Sequence, residues 1–282
     1  MKNFWIRTAS AIVYVILFLG SMYSGMLLDN PVVGNFIFGF FLLFVTIGCS
    51  YEFFRMVRLQ GACPSEWLGY FYAILPLLLV MFVPLMGLQG FTMMLTAFTI
   101  FPALFAFAAI LQLWHHGNQP FRDAAYTLLP LLYIALPLSL MMAVQESYGA
   151  HLLFLLVALV WVNDSGAYIG GSLFGKHKMW ERHSPGKTWE GTAFGMTVAI
   201  LAAVFIGPLL TDIAWYHWLT LGIICSVVDT LGDLVESMLK RSVGVKDSGN
   251  IMPGHGGFLD RFDSLLISMP FAYVYLMLVV QS

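Results

Sequence analysis

The stretch "GTAFGMTVAILAAVFIGPLLT", residues 191–211, runs for 21 residues without a charged side chain. At about 1.5 Å per residue, a helix of this length crosses the roughly 30 Å hydrocarbon core of a bilayer. The whole chain of 282 residues is 60% hydrophobic and 10% charged, whereas soluble domains carry about 25% charged residues. Because so few charges cannot cover a water-facing surface, the composition indicates an integral membrane protein.

Apolar runs of spanning length recur along the whole chain. We therefore predict an all-α, polytopic transmembrane helical protein with about nine spans and no soluble domain. The first run is predicted to be a membrane anchor, since it is too long for the core of a typical signal peptide. The runs fall at about 8–28, 32–51, 67–86, 90–113, 124–144, 149–172, 190–211, 213–238 and 262–281.

The basic residues predict the orientation of these spans. If about nine spans alternate in direction, all 13 Lys and Arg residues fall on one side of the membrane. The positive-inside rule then predicts that the N-terminus lies in the cytoplasm and the C-terminus outside. The net charge of −2 offers no basic patch for nucleic acid. Three scattered cysteines indicate neither a disulfide framework nor a zinc site.

Charged side chains reappear inside the apolar runs of the C-terminal half. The segment "SVVDTLGDLVESMLKR" spaces four of them by four, three and four residues, on one helical face: Asp229, Asp233, Glu236 and Lys240. A charge at the bilayer centre costs roughly 2.5–3.5 kcal/mol on insertion scales, so these acids indicate a function. Glu236 has a simpler alternative, an i,i+4 ion pair with Lys240 near the membrane interface. Asp164 is a further acid within an apolar run.

A second polar cluster precedes the last apolar run. Asp260 and Asp263 lie three residues apart, and clustered carboxylates at a membrane boundary favour a hard divalent cation, most simply Mg²⁺. Residues suited to phosphate surround them: Arg241, Lys246, Gly254, His255, Gly256, Gly257 and Arg261. We therefore predict a metal and phosphate site at the cytoplasmic face, with a lipid phosphate as one substrate.

The loop "HSPGKTWEGT", residues 183–192, contains a "GKT" that invites a P-loop interpretation. A P-loop requires glycine where this chain has Glu181, so that interpretation is rejected. Ser184, Lys187 and Thr188 can still bind phosphate at the start of a helix. A basic loop that merely follows the positive-inside rule remains the alternative.

These C-terminal motifs resemble the signature of the phosphatidate cytidylyltransferases, also called CDP-diacylglycerol synthases. That signature reads S-x-x-K-R-x4-K-D and then H-G-G-x-x-D-R-x-D, and every fixed position is present in residues 237–247 and 255–263. The stretches "SPGKTWEG" and "GDLVES" are also similar to motifs of that family. We accordingly predict N-terminal transmembrane helices over 1–145 and a C-terminal transmembrane catalytic region over 146–282.

The resemblance implies transfer of a cytidylyl group from CTP to phosphatidate, forming CDP-diacylglycerol and pyrophosphate. It also implies a Mg²⁺-dependent homodimer in a bacterial inner (plasma) membrane, with its active site facing the cytoplasm. By position in the motifs, the metal-binding acids would be Asp233, Asp260 and Asp263. The catalytic residues would be Asp233, Lys240, Arg241, Lys246, Asp247, His255 and Arg261. The substrate-binding residues would be Ser184, Lys187, Thr188, Gly256 and Gly257.

Three other functions fit the sequence less well. A CDP-alcohol phosphotransferase shares the D-x-x-x-D spacing of Asp229 and Asp233 but requires an upstream D-G-x-x-A-R, which this chain lacks. A secondary transporter predicts acids spread over several spans and two corresponding halves, whereas the acids here crowd one end. A purely structural membrane anchor does not explain the polar cluster.

Overall fold

The computed structural model describes residues 2–86, 103–114, 119–251 and 256–280. These residues are almost all helical, which confirms the all-α prediction, and they include one two-stranded sheet. They form two compact units, Met1–Met142 with Asp247–Leu259, and Ala143–Lys246 with Asp260–Ser282. The catalytic region that the sequence places after residue 145 stays a prediction.

The first unit is a helical bundle. Asn30 starts its longest helix, because its side chain accepts a hydrogen bond from the Val33 amide and Pro31 occupies the first turn. Its helices are α1 (Lys2–Met22), α2 (Ser24–Leu27), α3 (Pro31–Leu59), α4 (Glu66–Met86), a helical segment at 103–111, and the first part of α5 (Pro120–Tyr148). A buried cluster of Leu68, Tyr72, Ala108, Ala124 and Leu131 joins α4, the segment 103–111 and α5.

The second unit contains the C-terminal helices. Gly149, with φ of 86°, makes the turn that separates α5 from the next helix. The elements that follow are α6 (Ala150–Phe174), β1 (Lys178–Trp180), β2 (Ser184–Thr188), α7 (Trp189–Leu210), α8 (Trp215–Ser242) and α9 (Leu259–Tyr275), which continues as a π-helix over Leu276–Val280. Within this unit lie most of the residues that the sequence predicts to be functional.

Small residues let α6 and α7 pack closely together. A Cβ atom added to Gly166 would lie 2.9 Å from the Cα atom of Gly195, and one added to Gly191 would lie 2.7 Å from that of Gly171. Such close backbone approach is typical of helix pairs in membranes. It holds the N-terminus of α7, and the strand that leads into it, beside the C-terminal half of α6.

Six helices are long and apolar enough to cross a membrane, which supports an integral membrane protein. They are Pro31–Leu59, Pro120–Tyr148, Ala150–Phe174, Trp189–Leu210, Trp215–Ser242 and Leu259–Val280. The first and third predicted spans coincide with shorter apolar helices, Ser10–Met22 and Glu66–Phe82. The fourth, 90–113, falls mostly outside the described residues. The described residues therefore support six spans, and the predicted count of about nine is not confirmed.

Residues 173–189, which lie between the sixth and seventh predicted spans, contain an antiparallel hairpin. Lys178 lies opposite Thr188, and Trp180 lies opposite Ser184. The sequence "SPGKT" of β2 has no alternation of apolar and polar residues and includes Pro and Gly, so it carries no strand signal. The hairpin matters because it presents Lys187 directly before α7, whose N-cap is Thr188.

Candidate active site

Three carboxylates converge where α8 and α9 meet in the second unit. Asp233 and Glu236 lie three residues apart on α8, so they share one helical face, and Asp263 comes from the first turns of α9. One carboxylate oxygen from each residue lies within 4.8 Å of the other two. This acidic trio, Asp233, Glu236 and Asp263, is the group in the described part of the chain whose geometry is suited to a metal ion.

The donors of the acidic trio fit a hard divalent cation. Glu236 is fully buried, and its Oε1 atom has no hydrogen-bond partner among the described residues. Carboxylates this close together repel one another unless a cation neutralises them. Carboxylate oxygens are also the ligands that Mg²⁺ and Ca²⁺ prefer in proteins.

Two lysines already contact this cluster. Lys187 Nζ lies 2.7 Å from Asp233 Oδ2 and donates to the backbone oxygen of Thr230. Lys240 forms with Glu236 the i,i+4 ion pair that the sequence analysis gives as the alternative for Glu236, and it donates to Asp260 Oδ1 at 2.7 Å. Asp260 is thus held by Lys240. The structure brings Glu236, rather than Asp260, together with the other two acids of the predicted metal set.

A cavity of about 410 Å³ opens beside Asp233. Its volume falls within the roughly 300–1,000 Å³ of small-molecule sites. Asp164, Lys187 and Asp233 supply its charges, and the other lining residues are small, polar or aromatic: Ala167, Tyr168, Gly171, Ser172, Ser184, Gly186, Thr188 and Thr192. The hairpin and α6 therefore form a pocket that has both a lysine and a carboxylate of the acidic trio at its wall.

Asp229, one helical turn before Asp233, serves a different purpose. It is fully buried, and its Oδ2 atom accepts a hydrogen bond of 2.5 Å from the side-chain amide of Asn163 on α6. The hydroxyl of Ser264 on α9 donates to the backbone oxygen of Asp229. These bonds tie α6, α8 and α9 together next to the acidic trio.

The other predicted site residues are distributed over both units. Thr188 uses its hydroxyl to cap α7 by accepting from the Gly191 amide. Arg241 donates to the backbone oxygen of Val245 and lines a second cavity, of about 450 Å³, with Arg182. Lys246 and Arg261 are exposed residues of the second unit. Asp247, Gly256 and Gly257 belong to the first unit, and His255 lies outside the described residues.

A profile of the cytidylyltransferase family matches residues 5–279, which is nearly the whole chain. The chain belongs to the cytidylyltransferase family. This match confirms the family resemblance inferred from the C-terminal signature. The match also covers the N-terminal helices, which contain none of the signature motifs.

Individual members of the cytidylyltransferase family give more detail. The chain is 43% identical over 161 residues to the phosphatidate cytidylyltransferase of Bacillus subtilis, and 41% identical over 157 residues to that of Staphylococcus saprophyticus. The Bacillus alignment covers 56% of this chain and 60% of the relative, and the Staphylococcus alignment covers 55% and 60%. The chain therefore spans about 60% of the length of these relatives.

Sequence reasoning missed two members of the site. Glu236 was assigned only to an ion pair with Lys240, although its place on the helical face of Asp233 already put both side by side. Asn163 belongs to none of the motifs that the sequence analysis singles out. A polar amide next to Asp164 inside an apolar helix is the signal that could have identified it, because a buried amide requires hydrogen-bond partners.

We predict that Asn163→Leu lowers the unfolding free energy by about 3 kcal/mol, because Asp229 is left buried without its donor. The double variant Asn163→Leu/Asp229→Leu should recover most of that loss, since both polar groups are then gone. Denaturant titration in detergent micelles measures both values, with the exposed Thr197→Val as a neutral control. Additive losses in the double variant would contradict a direct Asn163–Asp229 interaction.

Proposed function

We propose that this protein transfers a cytidylyl group from CTP to phosphatidate, forming CDP-diacylglycerol and pyrophosphate for phospholipid synthesis. The observation that carries the proposal is the acidic trio beside a lysine-lined cavity, in a chain of the cytidylyltransferase family. The acidic trio lies on the apolar helices α8 and α9, and α6 and the hairpin line the cavity. The names of the relatives from Bacillus subtilis and Staphylococcus saprophyticus support the same substrates.

The proposed cofactor is Mg²⁺, held by Asp233, Glu236 and Asp263. When bound, Mg²⁺ would neutralise charge on the triphosphate and stabilise the departing pyrophosphate. The sequence-based set has Asp260 in place of Glu236. The geometry favours Glu236, because Asp260 already accepts a hydrogen bond from Lys240.

CTP is proposed to bind in the 410 Å³ cavity with its phosphates towards Lys187. Lys187 is paired with Asp233 across 2.7 Å, so its ammonium group lies beside the acidic trio. A charged donor at this place suits the triphosphate, and the Ser184 hydroxyl and the Gly186 backbone line the same wall.

The proposed reaction is an in-line displacement. An oxygen of the phosphatidate phosphate forms a bond to the α-phosphorus of CTP, and the bond from that phosphorus to the oxygen bridging to the β-phosphorus breaks, releasing pyrophosphate. Because the attacking phosphate monoester is already anionic near neutral pH, no general base is required. The protein contributes orientation and neutralisation of charge.

The lipid phosphate is proposed to lie near Arg241. This residue and Arg182 line the second cavity, of about 450 Å³, together with His183, Ser242 and the exposed Met238. Two guanidinium groups beside an apolar side chain suit an anionic head group with acyl chains attached. The predicted roles of Lys246, Asp247, His255 and Arg261 in contacting phosphates remain part of this proposal.

In the membrane, we propose about nine spans, a cytoplasmic N-terminus, an outside C-terminus and a homodimer in a bacterial plasma membrane. The distribution of all 13 basic residues supports the orientation. The bacterial relatives support the plasma membrane, and the resemblance to the family supports the dimer.

The direct test is to incubate the purified protein with labelled CTP and phosphatidate in the presence of Mg²⁺. Formation of labelled CDP-diacylglycerol with stoichiometric pyrophosphate is expected. In a parallel incubation with CDP-diacylglycerol and an alcohol acceptor, release of CMP would instead indicate a CDP-alcohol phosphotransferase. The absence of either reaction would contradict the proposed function.

We predict that Asp263→Asn and Glu236→Gln each weaken divalent-cation binding at least tenfold and slow turnover about a thousandfold, because each removes a charged ligand. Asp263→Asn should also unfold at a higher temperature than the native protein in metal-free buffer, since it relieves repulsion within the trio without breaking the Glu236–Lys240 ion pair. Titration with Mn²⁺ and thermal unfolding measure these effects.

The controls separate the two candidate metal sets. Asp260→Asn should weaken Mn²⁺ binding less than Glu236→Gln, and the exposed Asp212→Asn should leave it unchanged. Stronger loss of Mn²⁺ binding in Asp260→Asn than in Glu236→Gln would restore the set inferred from the sequence.

Lys187→Ala should raise the KM for CTP about ten- to a hundredfold, the equivalent of a charge-assisted hydrogen bond. The KM for phosphatidate should change much less. Lys178→Ala is the matched control, because Lys178 lies exposed on the same hairpin and does not line the cavity. Steady-state kinetics measure both KM values. An unchanged KM for CTP would indicate that Lys187 only follows the positive-inside rule and does not bind the triphosphate.

The orientation can be tested by labelling introduced cysteines with a membrane-impermeant maleimide in right-side-out vesicles. Cys63→Ser provides the background, since Cys63 is the exposed one of the three cysteines. The Asp212→Cys variant should react with the maleimide from outside. The Lys178→Cys variant should react only after the vesicles are permeabilised. Reaction of both positions from the same side would refute the proposed topology.

A further inference from the structure

A fully buried carboxylate lies in the first unit, outside every motif of the signature. It belongs to Glu52, near the C-terminal end of α3. Its Oε2 atom accepts hydrogen bonds from the Ser248 hydroxyl at 2.8 Å and the Leu259 amide at 3.0 Å. Its Oε1 atom accepts from the Phe258 amide at 3.0 Å. A side chain almost two hundred residues away thus holds residues 248–249 and 257–259, the two ends of one segment, together.

Two glycines of the same segment make this arrangement possible. A Cβ atom added to Gly249 would overlap the Glu52 carboxylate, and one added to Gly257 would overlap the carboxylate and the Ser248 hydroxyl. Both ends of the segment therefore wrap around one anionic group. Gly257 was predicted to bind substrate, but in the described structure it packs against Glu52.

The segment leads directly into the acidic part of the site. Leu259, whose amide donates to Glu52, is the first residue of α9, and Asp260 and Asp263 follow in its first turns. The first amides of a helix have no partner within the helix, and a carboxylate there stabilises both the amides and the helix start. Glu52 performs this capping function from a different helix.

We propose that Glu52 is a positioning residue for cytidylyl transfer. It fixes the start of α9, the helix that carries Asp260 and Asp263. The proposal rests on the proposed function, in which Asp263 holds the metal ion. An error of about 1 Å at a reacting centre costs on the order of a hundredfold in rate, so a distant residue can control turnover in this way.

A purely structural role for Glu52 makes different predictions. A buried carboxylate is stable when several hydrogen-bond donors satisfy it. Replacing such a carboxylate lowers the stability of the protein wherever the residue lies. Such a loss would leave the kcat of the folded fraction unchanged. A positioning role requires that kcat falls in protein that is demonstrably folded, while the backbone at Phe258 and Leu259 becomes less ordered.

The test compares Glu52→Gln with Glu66→Gln in the full-length protein. Glu66 is a matched control, because it is an acid of the first unit that pairs with Arg58 and is more exposed. Glu52→Gln should lower kcat about a hundredfold with the KM for CTP changed by less than about threefold. Amide hydrogen exchange at Phe258 and Leu259 should accelerate at least tenfold, while exchange in α8 stays as in the native protein. Glu66→Gln should match the native protein in both measurements.

A second pair of variants tests the contact itself. Gly249→Ala should lower kcat, because the three atoms nearest to the added methyl group all belong to Glu52. In a Glu52→Ala background the same substitution should cause no further loss, since the overlap is gone. Ser248→Ala, which removes one donor to Glu52, should produce a smaller fall in kcat than Glu52→Gln. If Glu52→Gln does not accumulate as folded protein, Ser248→Ala replaces it in the test.

Three results would overturn the proposal. These are an unchanged kcat in folded Glu52→Gln, unchanged exchange at Phe258 and Leu259, and additive losses for Gly249→Ala and Glu52→Ala. Failure of the proposed function is distinguishable, because the native protein would then lack cytidylyl transfer while the exchange measurements would still report on the contact.

Discussion

The structure of the second unit depends on keeping three carboxylates close together among apolar helices. Asp233, Glu236 and Asp263 would repel one another in such a place, and each would lose hydration. Lys187 and Lys240 reduce that cost by pairing with two of the three acids. The acids can therefore converge in a folded protein and still attract a cation, because one oxygen of the buried Glu236 has no hydrogen-bond partner in the described part of the chain.

Two other buried acids accept hydrogen bonds from uncharged donors instead. Glu52 accepts from a hydroxyl and two backbone amides, and Asp229 accepts from the amide of Asn163. Uncharged donors on a fixed backbone cannot exchange for a ligand without breaking the local fold. Lysine side chains can move, because four rotatable bonds separate the ammonium group from the helix or strand. The type of partner therefore distinguishes acids that hold the protein together from acids that are available to a metal ion.

The sequence predicts the features that depend on local patterns. Long apolar runs predict helices such as Trp189–Leu210, and the spacing of Glu236 and Lys240 predicts their ion pair, because both follow from helical periodicity. The sequence could not show that α9 brings Asp263 to Asp233 while Asp260 turns to Lys240, since that choice depends on how two helices pack. It also could not show the role of Glu52, whose partners lie in a segment almost two hundred residues away. The predicted second span ended at residue 51, although α3 continues to Leu59.

The hairpin connects the charge balance of the site to the proposed binding of nucleotide. Lys187 is needed beside Asp233 as long as no other cation neutralises that carboxylate. A divalent ion in the acidic trio would neutralise the Asp233 carboxylate instead of Lys187. The Lys187 ammonium group would then be available to the triphosphate. Metal and nucleotide would consequently favour each other's binding without any change in the helices, because a single lysine side chain changes its partner. Thr188 keeps this exchange local, since its cap on α7 anchors the strand one residue away.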